Sequence, residues 1–159
     1  MRAALKFVHL IGLVLFLGSI LTFIVASSVG SAGDLASLAV ARRVISTGTN
    51  ALTLPGLGLL IASGVGLAWG RLRLRDHRWL QVMALAVAAI ALNGVLFVLP
   101  SVRSATALAE ESRSRGTLSA AYGRAYALES SAGAVNVLLG LVAAAAGVVG
   151  TRRAAQARG

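Results

Sequence analysis

Cysteine is absent from the 159 residues, which excludes disulfides, thiolate metal sites and cysteine nucleophiles. Acidic residues are scarce: Asp34, Asp76, Glu110, Glu111 and Glu129 are the whole set. None falls in the middle of a long apolar run, so no carboxylate relay of an ion-coupled transporter is in view. Charged residues make up 13% of the chain, against roughly 25% in a soluble domain. Histidine occurs only as His9 and His77, so any imidazole chemistry rests on those two. There is no HExxH pair, no Walker loop and no glycine-rich loop following a strand. No internal repeat suggests an inverted-repeat transporter, although a dimer would restore that symmetry.

What is present is apolar. Hydrophobic types reach 57% and the mean hydropathy is +0.83. A chain this short has too little interior for so much apolar residue, and a disordered chain is polar and charged. A membrane span needs about 20 mostly apolar residues. Four stretches qualify: Leu5 to Ser27, Ala51 to Trp69, Trp79 to Val102 and Ala132 to Val149. Lys6 is their only charged residue. Met1 to Lys6 resembles the basic region of a signal peptide, but the apolar run after it exceeds a signal core of about 7–15 residues. The first stretch therefore reads as a retained helix. The expectation is an all-α, integral membrane four-helix bundle forming a single domain over residues 1–159.

The net charge of +10 suggests nucleic acid on its own. The arginines, however, lie between apolar runs, where they set membrane orientation, and no nucleic-acid partner is expected. Arg2, Lys6, Arg71, Arg73, Arg75, Arg78, Arg152, Arg153 and Arg158 fall on one side. Arg42, Arg43, Arg103, Arg113, Arg115 and Arg124 fall on the other, with all the acids except Asp76. Both termini and the short second loop are thus expected in the cytoplasm, with Trp69 and Trp79 as interfacial anchors. That basic side would also attract anionic lipid head groups.

Helical extensions are expected on the outer side. Asp34 is placed to cap a helix from Leu35 to Ile45. Gly48, Thr49 and Asn50 then read as a loosened stretch before the second span. Ser104 to Ser112 reads as a continuation of the third helix, with a turn at Ser114-Arg115-Gly116 and Thr117 as the next cap. Tyr122, Tyr126 and Glu129 then ride on the fourth helix as it returns. Pro55 and Pro100 are expected to bend or end their helices.

Small residues recur at helical spacing. Gly133, Asn136, Gly140, Ala143, Ala144 and Gly147 form one stripe on the fourth span. Gly56, Ser63, Gly66 and Gly70 form another, and His9, Gly12, Phe16 and Ser19 a third. Such stripes let membrane helices approach closely. Asn93 and Asn136 fall at similar depth, where a hydrogen bond across helices is expected. The alternative is a polar pocket for a quinone head group or another small ligand, near Tyr122 and Tyr126. His9 lies one turn into the first span, with Gly12 leaving room for a planar group beside it. It is a candidate ligand for haem iron or another metal, or else an interfacial histidine bonded to a carbonyl or head group. His77 falls on the same side, with Gln81 one turn deeper and Asp76 as an acceptor that would orient an imidazole from behind. The four could share one site, or His77 is an ordinary loop residue.

Lys6-Phe7-Val8-His9-Leu10-Ile11-Gly12, followed by Gly18, resembles the first-helix K-x-x-H-x-x-G signature of small bacterial membrane proteins. These include the copper-resistance D domain, the HemJ-type protoporphyrinogen oxidases and a related family without assigned function. Leu54-Pro55-Gly56 with Ser63-Gly64, and Trp79-Leu80 with Leu99-Pro100, resemble the second and third helices of that last family. The resemblance implies a bundle in the bacterial inner membrane and His9 as the haem b or metal ligand. The HemJ-type lysine of the third helix is missing, since Met83 to Leu99 carries no charge. Only Met1 and Met83 are available for copper capture. Two function classes follow. One is a haem- or metal-handling module using His9, with Gly12, His77 and Gln81 around the cofactor. The other is a non-catalytic subunit of a homodimer or larger membrane complex.

Overall fold

A computed structural model describes residues 2–68 and 78–156 of the chain. The described residues are helical apart from short turns, with no strand. Six α-helices follow one another: α1 (Arg2–Ala32), α2 (Leu35–Gly48), α3 (Leu54–Ala68), α4 (Arg78–Asn93), α5 (Leu99–Arg115) and α6 (Ala120–Gln156). A π-helical turn, Thr49–Thr53, joins α2 to α3, and a second, Gly94–Val98, joins α4 to α5. The result is four long rods: α1, α2–α3, α4–α5 and α6. All four are long and apolar enough to cross a membrane. At about 1.5 Å per residue, the 37 residues of α6 run roughly 55 Å, well beyond about 30 Å of hydrocarbon. The end carrying Asp34 and Gly116 is termed distal here, and the end where α1 begins proximal.

The π turns are where the structure departs from the expected loosening at Gly48-Thr49-Asn50. The chain stays helical there, and neither proline ends its helix. Proline has no N–H and its ring crowds the carbonyl four residues back. Those carbonyls belong to Ala51 before Pro55 and to Leu96 before Pro100, and both lie inside the widened turns. The ladder resumes with five-residue spacing, Leu54 N–H donating to Thr49 O and Leu99 N–H to Gly94 O.

The distal turns follow the residues at hand. Asp34 Oδ1 accepts from Ser37 N–H at 2.8 Å and caps α2, as the sequence leads one to expect. The Ser37 backbone bond holds the Asp34 carboxyl below the ordinary carboxylate range, with the Ser37 hydroxyl adding to it. The folded value therefore lies below the unfolded one. The cap's contribution is complete above the unfolded pKa and fades as pH falls through the folded one. Asp34→Ala at neutral pH should lower the amide protection factors in the first turn of α2, and acidification of the native chain through the folded pKa should do the same. Unchanged exchange at Ser37 in the variant would remove the cap. At the other distal turn α5 ends on Gly116, whose φ of 70° suits glycine. The expected Thr117 cap is corrected: Ser119 does this work, its Oγ accepting from Ala121 N–H at 3.3 Å. Three residues between Gly116 and α6 put Ser119, not Thr117, directly before the helix.

Two helix pairs form the proximal half, α1 against α3 and α4 against α6. The distal half adds α2 against α1 and α5, and α5 against α6. The first pair is built on the stripes foreseen from spacing. A methyl on Gly12 would lie 2.9 Å from Gly56 O and Leu60 N, and one on Gly56 would lie 2.8 Å from Phe16 N. The two backbones therefore touch at this crossing. Ser19 and Thr53 hydrogen-bond at 2.8 Å one step further along. In the second pair the Trp79 ring lies on Gly150 and Met83 Sδ on Gly147. Distally, Leu38, Ala105, Ala109 and Tyr122 form a small core of α2, α5 and α6. Most large apolar side chains, such as Phe7, Leu10, Val14, Leu21 and Leu85, point outward.

Candidate functional site

His9 faces α3, where its Nδ1 lies 2.9 Å from Ser63 Oγ. Ser63 Oγ donates in turn to Leu59 O at 2.5 Å. With that proton committed, His9 Nδ1 carries the hydrogen and donates to Ser63, leaving Nε2 as the lone-pair nitrogen. Gly64 is the next neighbour, 3.5 Å from the ring by a methyl built on it. The slot expected beside Gly12 is filled by the α3 backbone, because the glycine is used for the helix crossing. Gln81 sits on α4, which packs against α6, whereas His9 sits on α1 against α3. Trp69, Asp76 and His77 lie outside the described residues. No cluster of three potential metal ligands occurs among the described residues.

Asn93 and Asn136 do meet. Asn93 Nδ2 donates to Asn136 Oδ1 at 2.7 Å and to Ala132 O at 2.8 Å. The carbonyl contact fixes which end of Asn93 is the donor, and so fixes the orientation of Asn136 as well.

A further polar feature joins α2 to α6. Arg42 has no solvent exposure and clasps Glu129 across α2 and α6. Nη1 donates to Oε1 at 3.2 Å, and Nη2 donates to Oε2. Thr106 Oγ1 bonds Arg42 O at 3.3 Å and ties α5 to the same point. Arg42 Nε is the single buried side-chain polar atom without a partner among the described residues. The signal for this pair lay in spacing. Leu38, Arg42 and Ile45 share the inward face of α2, and Tyr122, Tyr126, Glu129 and Asn136 share one face of α6. In sequence Arg42 and Glu129 each read as an outer-loop charge, because 87 residues separate them.

Glu129 also borders a cavity of about 440 Å³ in the middle of the four rods. Phe16, Ile20 and Phe23 of α1 line its proximal part, with Val137 of α6 opposite. Ser27, Ser28 and Ser31 line the distal part, facing Tyr126, Glu129 and Ser130. Thr49, Thr53 and Val98 enter from the two π turns, and Asn136 from α6. Ser27 Oγ donates to Tyr126 Oη at 3.4 Å across the distal rim. Tyr126 stacks on Tyr122, with ring centres 6.1 Å apart and planes 9° from parallel. The cavity is mainly apolar: Thr53 and Asn136 are the polar groups beside Phe16, Ile20 and Val137, while the distal end carries serine and tyrosine hydroxyls and the Glu129 carboxylate. The volume falls in the range of about 300–1,000 Å³ typical of small-molecule sites. Comparison with protein-family models, with curated proteins and with solved structures finds no match for this chain.

Proposed function

We propose that the protein is a four-span membrane protein that binds a small amphipathic molecule in the cavity between its two helix pairs. In this reading both termini lie on the Arg-rich cytoplasmic side, and the distal bundle of α2 and α5 projects beyond the opposite face. The observation that carries the proposal is one half-open, mainly apolar space with its single carboxylate at one end: Phe16, Ile20 and Val137 lie at the proximal end, and Tyr126, Glu129 and Ser130 at the distal end. A tail among the former and a head group among the latter would match a molecule drawn from a bilayer. Gly133 lines the cavity, and a methyl built on it meets nothing within 4 Å. Gly133→Phe should therefore fill the space without moving a helix. Binding of amphiphiles, read by native mass spectrometry from nanodiscs, is expected to weaken at least about tenfold in the variant, some 1.4 kcal/mol. Equal binding by the variant and the parent chain would end the proposal.

A second reading keeps His9 as a haem b or metal ligand. It is favoured by the Ser63 bond, since an imidazole that donates through one nitrogen presents the other to a metal in a fixed orientation. Protein supplemented with haem should then show a Soret band that is lost in His9→Ala. A spectrum without that band, together with no bound copper, would dismiss the reading.

A further inference from the structure

Resting on the cavity reading above, we propose that its ligand carries a protonated amine head group, held at the distal end by Glu129.

Hydroxyl protons in the wall are largely committed to the protein itself. Thr49 Oγ1 donates to Ile45 O at 2.8 Å. Ser28 Oγ donates to Val25 O at 2.9 Å, and Ser31 Oγ to Ser28 O at 3.1 Å. Ser19 Oγ gives its proton to Phe16 O, so Thr53 is the donor in the Ser19–Thr53 bond. Each of these lining hydroxyls therefore offers the cavity lone pairs and no proton. The remaining donors there, the Tyr126 and Ser130 hydroxyls and the amide hydrogens of Asn136, are all neutral.

Charge points the same way. Glu129 is the one charged side chain among the described residues that line the cavity, and no Lys, Arg or His joins it. Its counter-ion, Arg42, has no exposed surface and sits behind the carboxylate. The ion pair is a dipole whose negative end meets the cavity. Two guanidinium bonds leave each carboxylate oxygen with further acceptor capacity. A carboxylate or phosphate head group would face Glu129 with no cation beside it. An ammonium would find Glu129 and the lone pairs of the serine and threonine hydroxyls.

Dodecylamine, dodecanol and dodecanoate share a chain and differ in head group. Their binding to the full chain in nanodiscs of uncharged lipid, counted by native mass spectrometry with Gly133→Phe as the non-specific baseline, separates the possibilities. The amine is expected to bind at least about tenfold more tightly than the carboxylate, with the alcohol between them. Glu129→Gln alone would strand a buried guanidinium, so the charge is removed with Arg42→Met/Glu129→Gln, which takes out both members. The amine preference should vanish there while dodecanol binding persists. A carboxylate bound as tightly as the amine would overturn the head-group assignment and leave the cavity reading standing. An amine preference surviving in the double variant would overturn the role of Glu129. If none of the three binds above the baseline, the cavity reading itself falls, and this inference with it.

Discussion

Glu129→Ala is expected to lower stability by about 3–5 kcal/mol, because it leaves the guanidinium of Arg42 buried without its counter-charge. The cost comes from desolvation and not from the lost attraction alone. An arginine with no exposed surface cannot recover its water by a small rotation, and its Nε already lacks a partner. The double variant Arg42→Met/Glu129→Leu separates these effects. Removing both charges and keeping the volume should restore most of the loss, and buried ion pairs replaced in this way often match or exceed the parent. Thermal unfolding in a mild detergent is the measurement. A Glu129→Ala protein that melts with the parent would mean that water reaches Arg42 and that the distal bundle is looser than described.

Gly12→Val, or its counterpart Gly56→Val, is expected to separate α1 from α3. Even the first added carbon at Gly12 would lie 2.9 Å from two backbone atoms of α3. Backbone cannot turn aside as a side-chain tip can. Gly12→Ala alone should cost about 1–3 kcal/mol, and the β-branched residue more. Gly18 supplies the control on the same helix. A methyl there meets nothing within 4 Å, so Gly18→Ala should be neutral, or gain up to about 1 kcal/mol from helix propensity. Equal melting of Gly12→Ala and Gly18→Ala would refute the close crossing. A wider α1–α3 spacing should also free His9 from Ser63, so any spectral signal of a bound metal would shift together with stability.

Much of the proximal half was legible from spacing, because the information is local. His9, Gly12, Phe16 and Ser19 recur every three or four residues, and so do Gly56 and Ser63. Two such stripes on neighbouring antiparallel helices have few ways to meet. Asn93 and Asn136 were paired by depth alone, and the bond is there at 2.7 Å. The Asp34 cap needed only the residues beside it. What stayed hidden depends on distant parts of the chain. Arg42 and Glu129 meet only because α2 folds back across α5 and α6, so each reads alone as a loop charge near a membrane. The cavity has no residue signature of its own: its lining is drawn from all four rods, far apart in the chain. Gly12 is ambiguous in sequence for a related reason. A glycine beside a histidine suits a planar cofactor or a neighbouring helix equally well, and only the position of Gly56 decides between them.

The two π turns set a phase relation between the halves of the molecule. A π turn amounts to one residue inserted into an α-helix. One residue is worth about 100° of rotation. The turn at Thr49–Thr53 therefore advances the face of α2 against that of α3 by that angle, and Gly94–Val98 does the same for α4 and α5. Arg42 looks toward α6 while Gly56 and Ser63 look toward α1 because of this offset. Deleting a single residue from the first turn would return the rod to uniform α-helical phase. One half could then keep its contacts only if the other gave them up. The length of each rod is thus open to change at its ends, while the count of residues between Arg42 and Gly56 is not.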